Sequence, residues 1–340
     1  MMNHRKMPNW LHITPLLSAI LLLAAAPQQA EARDYPFKRY ESRHFVVHSN
    51  ASAKKTRKIV EEFELFRAAV LQVSAWRIPE TAPKADVLIV RNRREFADVS
   101  PEPQLSYVGM AHGGRHLVVI NEGNFNLWIQ EDIKHHYTHS LFNQMSFPYP
   151  VWYQEGFSRL VSMIQFRKKN TAFTIGEFPG GCRRRSGVSL EDEDINRLIS
   201  GEWENEKLRQ GPACERYLQS AMLAHYVTLG EDFANYAKLN RYFALMNSGQ
   251  PSLPAFTQAF GMDPNQLFAA RVDSYGERLF VVVVDFEMDK IFLDIEESDS
   301  DTAVVQALMA EIRSLEVQFR TQDHLKELIE TRRQRFASAP

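Results

Sequence analysis

The chain has 340 residues, of which 44% are hydrophobic and 24% are charged, so it can bury a sizeable core as one large domain or two. Its formal net charge of −2 at pH 7 argues against nucleic acid as a partner, because surfaces that bind nucleic acid carry an excess of positive charge. Its two cysteines, Cys182 and Cys214, could form a disulfide in an oxidising compartment. Alternatively, both are free thiols.

The N-terminus predicts secretion. Basic residues precede an apolar run at residues 16–26, and residues 30–32 have the Ala-x-Ala pattern of a signal-peptidase site. The run is shorter than the ~20 apolar residues that a membrane-spanning helix needs. We therefore expect residues 1–32 to be a signal peptide cleaved near Ala32. The mature protein is expected to be periplasmic or secreted, with no membrane span after the signal is removed.

The first half of the mature chain has the pattern of an α+β fold. Residues 107–110 and 116–120 predict two strands joined at Gly113 and Gly114, a dipeptide that is typical of hairpin turns. Upstream, β-branched runs alternate with apolar residues at helical spacing. They predict strands at 43–49 and 86–90 and helices at 52–73 and 94–99. We expect residues 33–188 to form an N-terminal α+β part with a small mixed sheet.

The second half is predicted to be mainly helical. Residues 189–295 repeat apolar residues at helical spacing, and a β-branched run at residues 280–284 predicts a short strand among the helices. Residues 296–301 are acidic and polar, which is typical of a linker. We expect residues 296–340 to be an acidic linker followed by a C-terminal helical tail. The predicted helices before this linker lie at 190–199, 213–229, 233–246, 252–260 and 265–275.

Two histidines carry the strongest functional signal in the chain. His135 and His139 are four residues apart on a predicted helix, so their imidazoles point the same way. They can share a zinc ion, and Glu155, on a second helix predicted to begin near Val151, can supply the third protein ligand. A carboxylate among the apolar residues of that second helix needs a partner. Alternatively, Glu155 caps its helix or pairs with Arg159, and the histidines are ordinary packed side chains.

This region resembles the gluzincin metallopeptidases, the thermolysin-like members of the peptidase MA superfamily. His135 and His139 match the motif His-Glu-x-x-His of those enzymes, and Glu155 with Gly156 matches the Trp-x-x-Glu-Gly segment that follows it. A weaker likeness extends over residues 40–280. The resemblance implies a gluzincin-like domain whose metal-site helix pair binds Zn²⁺ through His135, His139 and Glu155. It also implies hydrolysis of peptide bonds by water that the zinc activates, with the peptide lying along an edge strand.

One position departs from the motif. His136 replaces the glutamate that acts as general base in these enzymes. A neutral imidazole beside a divalent cation is a poorer base than a carboxylate, because the metal repels its protonated form. We expect a loss of at least ~10²–10⁴ in rate.

The expected function is therefore a metallopeptidase-like hydrolase with reduced or lost activity, acting on a peptide or protein. The alternative is a pseudoenzyme that binds peptides or proteins without cleaving them. A third hypothesis is a scaffold in which the metal is also absent.

Two aromatic or basic side chains downstream are candidates for a second catalytic role. A tetrahedral intermediate needs a hydrogen-bond donor besides the metal. On the predicted helix at 213–229, Tyr217 is the first candidate and His225 is the second. Alternatively, Tyr217 is a packing residue of an amphipathic helix.

Two acidic residues lie one helical turn before the motif histidines. Glu131 precedes His135, and Asp132 precedes His136. Carboxylates in such positions can orient an imidazole at a metal site. Alternatively, both are solvated charges on the helix surface.

Overall fold

The computed structural model describes residues 36–100, 107–112, 115–125, 127–177, 195–202, 213–230, 234–272, 281–286, 291 and 293–320. The predicted signal peptide, Cys182 and the end of the chain after residue 320 lie outside this part, as do the side chains of Cys214 and Tyr217. Within it, no helix combines the length and the apolar character that crossing a bilayer requires.

The described residues form nine strands and ten α-helices in an α+β arrangement, as the sequence predicts. The strands are β1 (Lys38–Glu41), β2 (Phe45–Ser49), β3 (Ala85–Val90), β4 (Tyr107–His112), β5 (Arg115–Asn121), β6 (Gln165–Arg167), β7 (Ala172–Ile175), β8 (Val282–Asp285) and β9 (Glu296–Asp299). The helices are α1 (Ala53–Ser74), α2 (Arg93–Val99), α3 (Leu127–Asn143), α4 (Val151–Ser162), α5 (Ile195–Ser200), α6 (Ala213–Leu229), α7 (Ala234–Asn247), α8 (Ser252–Phe260), α9 (Pro264–Leu267) and α10 (Thr302–Arg320).

Six strands form a mixed sheet in the order β4-β5-β3-β2-β1-β9. The central strands β2, β3 and β5 are parallel, whereas β1, β4 and β9 each pair antiparallel with their neighbours. The registers place Val47, Val87 and Val118 side by side in the core. Because buried parallel strands are rich in β-branched residues, their apolar runs were recognisable in the sequence.

Helices α1 and α3 pack on this sheet through aromatic side chains. The ring of Phe45 on β2 lies 5.4 Å from Phe63 of α1 and 5.1 Å from Tyr137 of α3, measured between ring centroids. Lys134 of α3 is also buried, and its ammonium lies 3.4 Å from the Glu62 carboxylate of α1. These contacts fix the orientation of α3, the helix that carries the two motif histidines.

The acidic segment after residue 295 is a strand of the sheet, so the expectation of a linker there was wrong. Backbone pairing places β9 on the outer side of β1. Basic side chains pair with two of its three acidic residues, since Lys38 pairs with Asp299 and Arg57 pairs with Glu297. Helix α10 then packs back, and the helical spacing of apolar residues predicted two of its buried positions, Leu308 and Ile312, but pointed to Val304, which is exposed, instead of Val305. Its buried side chains are Val305, Leu308 and Ile312.

A second sheet has three antiparallel strands in the order β6-β7-β8. Its strand β8 confirms the prediction of a short strand near residues 280–284. The rings of Phe166 and Phe173 both contact Phe286, at 5.7 and 5.5 Å between centroids. The late β-branched run thus pairs with β7, the second strand after α4, and this pairing joins the second half of the chain to the first.

Glu64 ties α1 to the turn between β1 and β2, and this contact predicts acid sensitivity. Its buried carboxylate accepts hydrogen bonds from Ser42 Oγ at 2.6 Å and from the backbone N–H of His44 at 2.8 Å, and it lies 2.6 Å from His44 Nδ1. Burial alone would raise the pKa of Glu64, but the contacts with His44 and Ser42 outweigh it and lower that pKa. Because the folded-state pKa lies below the unfolded-state value, the stabilisation is present above about pH 4.3 and is lost on further acidification.

Glu64→Gln is therefore expected to lower the free energy of unfolding at pH 7 by about 1.5–3 kcal/mol, and by less below pH 4. Urea denaturation at a series of pH values measures this difference. Glu61→Gln, at an exposed position on the same helix, is the matched control and should leave the curve nearly unchanged. Equal destabilisation by Glu64→Gln at pH 7 and pH 3 would contradict the account.

Candidate metal centre

Helices α3 and α4 are adjacent in the chain and pack against each other. Pro148 and Pro150 lie in the connection, and Pro150 occupies the N-cap of α4, where its missing N–H costs nothing. The apolar side chains of α4 face the core, as predicted. The buried ones are Trp152, Tyr153, Phe157, Leu160 and Val161. Glu155 lies on the side of α4 that faces α3.

Three side chains converge between these helices. The Nε2 atoms of His135 and His139 are 3.1 Å apart, and each lies 3.4 Å from one carboxylate oxygen of Glu155. A zinc ion with bonds of ~2.0–2.2 Å and tetrahedral angles separates its ligand atoms by roughly 3.3–3.6 Å. The three observed distances between donor atoms, 3.1, 3.4 and 3.4 Å, are close to the distances between ligand atoms in such a tetrahedral site. The residues present therefore fit a metal ion.

The electrostatics of the group suit a cation. Burial lowers the pKa of His135 to about 4, so its imidazole is neutral at pH 7 and its ring nitrogen is available as a ligand. Burial alone would raise the pKa of Glu155, but the hydrogen bonds with His135 and His139 outweigh it and hold that pKa below its usual range. The group therefore presents two imidazole nitrogens and one carboxylate, the ligand types that zinc takes.

Arg159 does not neutralise Glu155, which was the alternative interpretation of that carboxylate. Its guanidinium lies 3.8 Å from the carboxylate of Asp132, which is one turn before His135 on α3. The Asp132 carboxylate therefore contacts Arg159 of α4 and is not only solvated. Glu131, by contrast, is buried, and burial raises the pKa of its carboxyl.

His136 lies at the border of the group and is exposed. Its ring centroid is 5.3 Å from that of His135 and 6.5 Å from that of His139. Although its side chain is open to solvent, the protein packed around it lowers its pKa, and His139 lowers it further. The position that carries the general base in the resembling enzymes therefore holds a neutral imidazole beside the ligands.

Gly156 explains how the backbone of α4 comes close to α6. A Cβ atom at residue 156 would lie 2.1 Å from the carbonyl oxygen of Ser220 and 2.8 Å from the Cβ of Ala224. No side chain fits in that space, so the residue after Glu155 has to be glycine. Ser220 and Ala224 are small residues four apart on α6, and they lie against Gly156. Their spacing could have predicted a close helix contact, but it was not recognised in the sequence.

Gly156→Ala is expected to force α4 and α6 apart. The added methyl group would overlap backbone atoms that cannot rotate away, so we expect destabilisation at or above the usual 1–3 kcal/mol of overpacking. Because Glu155 is the preceding residue, metal affinity should fall in parallel. Thermal unfolding and zinc titration of the same sample measure both effects. Ser158→Ala, a small change at another buried position of α4, is the control. Unchanged stability in Gly156→Ala would contradict the close crossing.

The two downstream candidates for a catalytic donor differ in their placement. The backbone of Tyr217 lies on α6, one turn before the residue that crosses Gly156, whereas its side chain lies outside the described part. His225 is fully buried on the same helix, so it cannot touch a substrate in this conformation. The role of Tyr217 stays a prediction.

No protein-family model matches the chain, and no curated protein matches it at a meaningful level of similarity.

Proposed function

We propose that the protein is a periplasmic or secreted zinc metallopeptidase-like protein with a gluzincin-like domain. The observation that carries the proposal is the convergence of His135, His139 and Glu155, with donor atoms 3.1, 3.4 and 3.4 Å apart. The proposed location rests on the N-terminal sequence alone.

The composition of the group favours a catalytic type of zinc site. Structural zinc sites are closed by four protein ligands, whereas catalytic sites have three and keep a fourth position open. In the described part of the chain, the group contains His135, His139 and Glu155 and no fourth metal-binding side chain. Bound zinc would polarise a peptide carbonyl and make water more acidic. The three residues would hold the ion, with His135 kept neutral by burial.

The placement of α3 supports a peptide as the ligand. Helix α3 contacts β4, which pairs with β5 on one side and is the end strand of the sheet in the described residues. An end strand can bind an extended peptide through its backbone N–H and C=O groups. A peptide that lies along β4 would run beside the helix that carries His135, His136 and His139.

A second function, binding of peptides without cleavage, is favoured by one specific observation. The exposed residue beside the ligands is His136, whose neutral imidazole is a weak base next to a cation. The metal group would then hold a peptide carbonyl or fix α3 against α4, while hydrolysis is slow or lost.

Metal analysis and a cleavage assay together test both functions. We expect protein purified without added zinc to contain about one zinc per chain, and His139→Ala to contain much less. Incubation of both with a broad peptide library should show slow cleavage, dependent on zinc, only in wild type. Zinc with retained peptides but no cleavage would favour the binding function. Absence of zinc after exposure to micromolar zinc would overturn both.

A further inference from the structure

Two buried polar side chains on α3, one helical turn apart, offer a hydrogen-bond donor and an acceptor. The Nδ1 atom of His135 is buried and has no hydrogen-bond partner. One helical turn earlier, Glu131 is 7% exposed, and the positive charges of Arg159 and Lys134 act on its carboxylate. A buried ring nitrogen is normally paired, because leaving it unsatisfied costs about 1–3 kcal/mol. One donor and one acceptor on the same helix could satisfy each other.

We propose that Glu131 is the positioning residue of the metal centre and accepts a hydrogen bond from His135 Nδ1–H when a metal ion is bound at Nε2. The inference rests on the proposed metal site and assigns a role to a residue outside the three ligands. Glu131 does not touch the metal or the substrate. It acts through His135, by fixing both the orientation of the ring and the nitrogen that carries the proton.

The helix geometry allows this contact. Residues i and i+4 are neighbours on a helix surface, with Cβ atoms about 5–6 Å apart. Side chains on a helix lean towards its N-terminus, so the ring of His135 lies over the turn that contains Glu131. Nε2 of His135 already faces Glu155 and His139, which directs Nδ1 to the other side of the ring.

The chemistry of metal binding supplies the reason for the pairing. A neutral imidazole that gives its Nε2 lone pair to a metal carries its proton on Nδ1 and needs an acceptor there. Carboxylates commonly accept this hydrogen bond, and they raise the basicity of the ligand nitrogen. Glu131 is a buried carboxylate within one turn of this N–H.

Asp132 provides a matched control, because it is the neighbouring carboxylate on the same turn and is already engaged. It lies 3.8 Å from Arg159, and its side chain is 53% exposed. Removing either carboxylate deletes one negative charge close to the ligands. Only Glu131→Leu, however, would also delete the proposed acceptor, so comparison with Asp132→Asn separates the hydrogen bond from the overall charge.

Zinc titration of the full chain, monitored by competition with a chelator, tests the proposal. We expect Glu131→Leu to bind zinc about 10–100-fold more weakly than wild type. Glu131→Gln, whose amide oxygen can still accept, should recover part of the affinity. Asp132→Asn should remain within about threefold of wild type, the difference expected for a partly exposed charge. Thermal unfolding of the metal-free proteins checks that each variant is folded.

A second readout observes the proposed hydrogen bond directly, first in wild-type protein and then in one variant. In ¹⁵N-histidine-labelled, zinc-loaded protein, the Nδ1–H of His135 should give a downfield proton signal protected from exchange. Glu131→Gln should shift this signal and speed its exchange. Wild-type affinity in Glu131→Leu, equal weakening by Asp132→Asn, or rapid exchange in wild type would each overturn the role of Glu131. If wild type itself bound no zinc, the proposed metal site would fail together with it.

Discussion

Zinc-loaded His136→Glu is expected to hydrolyse peptides about 10²–10⁴-fold faster than wild type, the contribution of a well-placed general base. Residue 136 is exposed, and its ring lies beside both histidine ligands. A carboxylate there could take a proton from water, and its negative charge would be stabilised rather than repelled by the cation. Glutamate is also a good helix former, so α3 should be preserved. Zinc affinity should change little, because residue 136 is not one of the three ligands.

The matched control for this gain is His136→Gln, which has the size of glutamate and no basic group. It should remain as slow as wild type or slower. His136→Glu combined with His139→Ala tests whether the new activity needs the metal. Rates measured on one fluorogenic library, at equal zinc occupancy, allow a direct comparison. Efficient cleavage by wild type would show that the glutamate is dispensable here. No cleavage by His136→Glu with zinc bound would favour the binding function.

Replacing one of the three proposed zinc ligands is expected to weaken zinc binding strongly. Zinc sites in small domains bind with about 10–16 kcal/mol, so the loss of one ligand among several should weaken binding by roughly 10²–10³-fold or more. Glu155→Gln suits this test, because it keeps the size of the side chain and removes the charge between His135 and His139. The same variant should lose most of the stabilisation that zinc gives to the folded chain.

Thermal unfolding measures that stabilisation directly. At a free zinc concentration 100-fold above the dissociation constant, wild type should gain about 2.7 kcal/mol. Glu155→Gln, with an affinity roughly 10²–10³-fold weaker, should gain only about 0.4 kcal/mol or less at the same concentration. Asp132→Asn, which removes a carboxylate that pairs with Arg159 instead, should respond to zinc like wild type. An equal rise in melting temperature for Glu155→Gln and wild type would place the zinc elsewhere.

Most helices of the described part were predictable, whereas several strands were not. Helices α6 and α8 have the predicted bounds, because long apolar patterns and flanking breakers are local signals. Strands β1, β6, β7 and β9 were missed. They have three or four residues each, and β9 consists of Glu296, Glu297, Ser298 and Asp299. Its pairing with β1 depends on partners far away in the chain, which composition does not reveal.

The candidate metal-binding residues were likewise predictable from local sequence only in part. His135 and His139 were predictable because a spacing of four residues on one helix fixes their relation locally. The reach of Glu155 to both histidines depends on how α3 and α4 pack, which the sequence suggested only through resemblance. The crossing of Gly156 with Ser220 and the contact of Asp132 with Arg159 depend on tertiary packing. Small residues four apart on α6 indicate a close helix contact but do not identify its partner, so both contacts required the structure.

The most direct test of the account is a crystal structure of the zinc-loaded protein with anomalous diffraction data collected on both sides of the zinc absorption edge. We expect one strong anomalous peak within ~2.0–2.2 Å of His135 Nε2, His139 Nε2 and a Glu155 oxygen. A peak held by other residues, or no peak between α3 and α4 at full zinc saturation, would contradict it.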